Sequence, residues 1–191
     1  MAKKRNRRAT RRGRAAPVRA QPPRTARGKP SPTAGPEPTA AWPPASAESP
    51  KLSRLRARTV GGDAWLGHIE DQVVVLVNEA RRRHGCPRLR GDERLRAAAR
   101  SHSADMRARG YLAHQAPDGG TPSDRMRTAG YSWPAAENIA CGQQRPHEVM
   151  HAWMNSPGHR ANILNPRARA VGVGLDPGPG GPWWTQNFGY E

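Results

Sequence analysis

The chain has 191 residues, a formal net charge of +17 and 35% hydrophobic residues, a length that fits one domain with a tail. The longest aliphatic run, Val73 to Val77, is far short of the roughly 20 residues that span a bilayer, which excludes a transmembrane helix. The basic start, with twin arginines at Arg11-Arg12, is followed by no apolar stretch of the roughly 7–15 residues that a signal peptide needs, so no export signal is visible in the chain.

The charge is unevenly spread. Residues 1–58 hold sixteen Lys or Arg against only Glu37 and Glu48, which assigns +14 of the total to this segment. Rich in Arg, Pro and Ala and poor in apolar residues, it is expected to be a disordered basic tail, drawn to polyanions such as nucleic acid, anionic lipid or acidic wall polymer. A merely solvated tail is the alternative, because a charge run without interleaved aromatics carries no readout chemistry. Residues 59–191 are nearly balanced in charge and hold five of the six Trp and both Cys, so the core must form here.

From Gly67 the positions Ile69, Val73, Leu76, Val77 and Ala80 recur at helical spacing, predicting an amphipathic helix that ends at Gly85. Asp92 is placed to cap a second helix, in which Leu95, Ala98, Ala99, His102 and Met106 form one inward stripe before Gly110. Thr121-Pro122-Ser123-Asp124 reads as a capping box opening a short helix. Pro146 opens another, with Val149, Met150, Trp153 and Met154 on one side, and Ser156-Pro157 restarts the chain. The period then changes: Val171, Val173 and Leu175 alternate, a Gly/Pro turn covers 176–182, and Trp183 to Phe188 returns as the second strand of a hairpin. Helices first and a hairpin last argue for α+β.

Five segments then become specific. Asn78-Glu79-Ala80-Arg81, Tyr111-Leu112-Ala113-His114 with Pro117-Asp118-Gly119, Glu137-Asn138-Ile139-Ala140, the run from Trp153 through Leu164, and Trp184-Thr185-Gln186-Asn187-Phe188-Gly189 resemble the bacterial SCP-like branch of the CAP superfamily (cysteine-rich secretory, antigen five, pathogenesis-related). The resemblance covers roughly 68–190 and implies a three-layer α-β-α sandwich, a monomer, and an extracellular or cell-envelope location.

It also implies a cleft in which His114, Glu137 and His159 gather as catalytic or binding groups. Two imidazoles and a carboxylate can hold a divalent metal such as zinc, with His114 and His159 as ligands, or can exchange protons without one. They can equally be scaffold, bonding the loops that carry them. The resemblance is incomplete: Ser156 and Trp183 stand where eukaryotic members have a second acid and a second histidine, and Ala136 replaces a usual Gly. Many bacterial relatives place a cysteine near Pro166, whereas here the second cysteine is Cys141, so a Cys86–Cys141 bridge and two reduced thiols both remain open.

His147-Glu148-Val149-Met150-His151 matches the zincin H-E-x-x-H pattern, but Met154 and Pro157 break the extended motif and the pair is expected on an exposed face. Three functions compete. The first is an envelope binding module for a lipid, glycan or wall fragment, with Trp183 and Trp184 as either ring-stacking platforms or core. The second is a hydrolase with Glu137 as base and His114 and His159 as metal ligands or proton carriers. The third is polyanion binding through the tail.

Overall fold

A computed structural model describes residues 59–191, with side chains from Gly62 onward. The basic tail and its polyanion reading lie outside the described residues. In chain order the elements are α1 (Thr59–Arg83), β1 (Arg90–Gly91), α2 (Glu93–Arg109), α3 (Pro122–Thr128), β2 (Pro134–Cys141), α4 (Pro146–Asn155), α5 (Pro157–Ile163), β3 (Ala170–Asp176) and β4 (Trp183–Gly189). The sheet has four strands in the order β1-β3-β4-β2. β3 pairs with β4 as the predicted hairpin, β2 adds antiparallel to β4, and β1 adds parallel to β3.

Alternation along the strands builds two cores. Val171, Val173 and Leu175 of β3 and Trp184 and Phe188 of β4 pack with Val73 and Val77 of α1 and Val149, Met150 and Trp153 of α4. On the other face α2 lies so close to β3 that a Cβ on Gly172 or Gly174 would come within 2.2 Å of α2 backbone nitrogen. Ser103 Oγ of α2 donates to Gly174 O at 3.1 Å and shares a hydrogen bond of 2.9 Å with the Thr185 hydroxyl. Asn187 Nδ2 donates to Leu95 O at 3.3 Å, and Met126 of α3 joins Leu95 and Ala98 in a second cluster. The result is the expected three-layer sandwich: α2 and α3, the sheet, then α1 and α4.

The caps form where the sequence places them. Asp92 Oδ1 accepts from Arg94 N and Leu95 N, Gly110 ends α2 at φ 67°, and Thr121 and Asp124 complete a reciprocal capping box. Three readings change. Helix α1 starts at Thr59, eight residues before the periodicity begins. β2 is a strand although Pro-Ala-Ala-Glu-Asn shows neither alternation nor β-branched residues; its pairing with β4 overrides weak local preference.

The third change concerns Glu70 and Arg81, which are not in the apolar stripe predicted for α1 yet are fully buried. Glu70 holds Arg100 through bonds of 2.7 and 2.8 Å and accepts from Leu175 N at 3.1 Å. Arg81 donates to the carbonyls of Pro87, Ile163, Asn165 and Ala168, tying α1 to the loop before β3. Cys86 and Cys141 do not pair. Both thiols are free, Cys86 Sγ meeting Leu164 O and Cys141 Sγ meeting Gly180 O.

Candidate functional site

His114 stands on the loop between α2 and α3, Arg125 on α3 one residue beyond the capping box, and Glu137 in the middle of β2 on the face that looks toward α2. The capping box fixes the start of α3 and so aims Arg125 at the strand. Arg125 Nη2 donates to Glu137 Oε1 at 3.1 Å, to Oε2 at 2.9 Å and to His114 O at 2.8 Å. One guanidinium therefore joins the strand to the loop.

His114 Nδ1 lies 3.0 Å from Glu137 Oε1. A carboxylate only accepts, so Nδ1 donates, and in the neutral ring Nε2 is then the acceptor on a half-exposed imidazole. The Glu137 side chain itself is 1% exposed and takes its stabilisation from these two donors. Below it lies His102, whose Nε2 donates to Ala113 O at 3.0 Å and sits 3.8 Å from Glu137 Oε1. Burial holds the His102 ring below its ordinary pKa, outweighing the neighbouring carboxylate. That neutral ring, with a bare Nδ1 lone pair among the described residues, supports the loop that carries His114.

His114 and Glu137 form one side of a pocket of about 300 Å³, whose walls also include Ser123, Met126, Ala135, Ala136 and Asn162. Asn162 Nδ2 donates to Glu137 O at 3.3 Å and to Asn138 Oδ1 at 2.9 Å, docking α5 on the free edge of β2. His159, the third residue expected in the cleft, meets this edge through its backbone: its carbonyl accepts from Asn138 Nδ2 at 3.3 Å. The pocket wall from this helix is Asn162 rather than the His159 ring. Sequence reasoning missed Arg125 and Asn162 and placed His102 only in the core stripe. No periodicity or spacing marks them, because each acts through the three-dimensional meeting of a loop, a short helix and an edge strand.

A divalent metal does not fit this donor set. Among the described residues no group of three or more His, Cys, Asp or Glu side chains could hold a metal ion. At Glu137 a guanidinium already occupies the positions a cation would take. The zincin-like pair is no alternative. His147 and His151 are exposed and face a separate groove beside His84 and Glu79. Trp183 and Trp184 are core, not platforms: they are 2% and 0% exposed, and their indole N–H groups donate to Pro179 O and Gln143 O.

Comparison with known proteins decides the lineage. The sequence pattern of the CAP group, described as the cysteine-rich secretory protein family, matches residues 74–188, which include His114, Arg125, Glu137 and Asn162. The chain belongs to the CAP family. This CAP domain chain is 40% identical over 153 residues, 80% of its length, to the uncharacterized protein YkwD of Bacillus subtilis (strain 168). The chain spans 59% of that relative's length. A solved extracellular protein containing a SCP domain, from Bacillus anthracis str. Ames, superposes with a TM-score of 0.61 at 32% identity, over 65% of this chain and 41% of that one. An outer surface protein of Borrelia burgdorferi shares the fold at 20% identity and a TM-score of 0.56, over 62% and 90% of the two chains.

Proposed function

We propose that this CAP domain is a cell-envelope or extracellular binding module, and that the pocket beside His114 and Glu137 takes a small polar ligand of wall-fragment or glycan type. The observation that carries this reading is the Arg125–Glu137–His114 chain of hydrogen bonds, which fixes an imidazole with its Nε2 acceptor left over at a pocket. Around it the Ser123 hydroxyl and Asn162 carboxamide supply polar edges, while Met126 and Ala136 supply an apolar floor. A preorganised acceptor among hydroxyl-sized polar groups suits a polyhydroxylated ligand better than an acyl chain. Relatives named as extracellular or outer-surface proteins are consistent with such ligands being at hand.

The test is a titration of the full chain with a muropeptide disaccharide, followed by calorimetry. His114→Ala and Arg125→Met are expected to weaken binding by roughly tenfold, about 1.4 kcal/mol, because each removes or disorders one charge-assisted contact. Wild-type affinity in both variants defeats the reading.

A second reading is favoured by the same hydrogen bond. A carboxylate that orients an imidazole through Nδ1–H leaves Nε2 as a proton acceptor, the arrangement of a general base. In a hydrolase built on this geometry His114 is the base and Glu137 its positioning residue, since both Glu137 oxygens are already taken by donors. Hydrolysis of a peptidoglycan suspension that disappears in His114→Gln and falls steeply in Glu137→Gln would favour it; loss of nothing in either variant removes it.

A further inference from the structure

A second surface lies where the pocket strand begins, two residues before Ala135 of the pocket wall and outside the hydrogen-bonded cluster just described. Trp133 and Tyr190 are among the most exposed large apolar side chains of the described residues, at 56% and 37%. They sit across from one another where β2 begins and β4 ends: Pro134 pairs with Gly189, and Tyr190 N–H donates to Trp133 O at 3.0 Å. Directly opposed residues of an antiparallel pair stand on the same side of the sheet. On the other flank of β4, Arg169 N–H donates to Gly189 O at 2.8 Å, and Asn165 Oδ1 accepts from Arg167 N at 2.9 Å. That bend sets the Arg167 guanidinium 5.1 Å from the Tyr190 ring centre. Backbone pairing thus brings Trp133, Tyr190 and Arg167 to one end of the sheet, with the Arg167 guanidinium over the Tyr190 ring.

The charge of this end is one-sided. Arg167 and Arg169 are exposed and pair with no carboxylate among the described residues. Of the acids at this end, Asp92 is paired with Arg90 and Arg94, and Glu191 follows Tyr190, its backbone oxygen accepting from Tyr131. An indole exposed to this degree keeps a large apolar face in water. Sugar rings present apolar C–H faces that pack on aromatic rings, and a guanidinium is suited to their carboxylate or phosphate substituents.

We infer that Trp133, Tyr190 and Arg167, none of which lines the His114 pocket, form a docking platform for an anionic polysaccharide. Trp133 stacks on a sugar ring, Tyr190 extends the apolar strip, and Arg167 binds the acidic substituent. A nucleic acid is the other polyanion such a surface could meet. It is disfavoured here because the relatives whose location is named are extracellular or outer-surface proteins.

The experiment uses the full chain with polygalacturonate as the acidic sugar polymer, at about 0.3 M salt so that long-range attraction by the basic tail is screened. Neutral dextran and a single-stranded oligonucleotide serve as comparisons. Trp133→Ala is expected to weaken polygalacturonate binding roughly tenfold and Arg167→Ala several-fold, with Trp133→Phe close to wild type. His114→Ala should bind polygalacturonate as wild type does, which separates this surface from the pocket. Unchanged thermal melts verify that the exposed substitutions leave the fold intact. Wild-type affinity in Trp133→Ala and Arg167→Ala, no measurable wild-type binding, or equal affinity for dextran overturns the proposal. So does tighter Trp133-dependent binding of the oligonucleotide, which would make the platform a nucleic-acid surface.

Discussion

Arg125 is the residue on which the cluster turns, because it balances a carboxylate that is almost wholly removed from water. Arg125→Met would strand Glu137 beside His114 alone, and breaking a buried pair from one side costs about 3 kcal/mol. Urea denaturation should show that loss, and a smaller effect for the double variant Arg125→Met/Glu137→Gln, in which the charge is gone. His102 makes the neighbouring pH prediction. Burial lowers its pKa below the ordinary value of 6.5, so the unfolded chain takes up the proton first and stability falls as pH drops below that value. Melting temperatures between pH 7.5 and 5 should decline less steeply in His102→Gln than in wild type. Asp92 acts at lower pH. Its bonds to Arg94, Arg90 and the helix N–H groups hold its pKa at about 2, against 3.8 in an unconstrained chain. Its contribution of roughly 1–2 kcal/mol is therefore full above pH 4 and is lost as pH falls toward 2, a slope that Asp92→Asn should remove.

At the scale of elements, the parts governed by local chemistry were legible: the Asp92 cap, the Thr121–Asp124 box, the Gly110 stop and the β3–β4 hairpin each follow from residues close in sequence. What local chemistry does not govern was not. Strand β2 exists because β4 offers it a partner, and Glu70 and Arg81 are buried because Arg100, 30 positions from Glu70, and loop carbonyls up to 87 positions from Arg81 come to meet them. The α2–β3 contact makes the sharpest test of the layering. A methyl at Gly174 would sit 2.2 Å from Arg100 N and 2.3 Å from Ala99 C, both backbone atoms of α2. Gly174→Ala is expected to cost about 2–3 kcal/mol, read by denaturation, whereas Gly91→Ala, which meets nothing within 4 Å, should be nearly neutral.

For the molecule as a whole, the three layers and the CAP lineage could be anticipated from the run Trp153 to Leu164 and the closing Trp184 to Gly189 segment, and the candidate site in part. His114 and Glu137 meet at 3.0 Å although 23 positions separate them. The sandwich that joins them also inserts Arg125, which no spacing rule anticipates, and presents the backbone of His159 to the strand edge. The central claim is that this assembly holds one imidazole in a fixed tautomer for a ligand. Nitrogen-15 NMR of the His114 ring in the full chain measures it directly. The account predicts a protonated Nδ1 bonded to Glu137 and an Nε2 resonance that moves when a muropeptide disaccharide is added. A ring that exchanges between tautomers, or an Nε2 signal unmoved at saturating disaccharide, contradicts it.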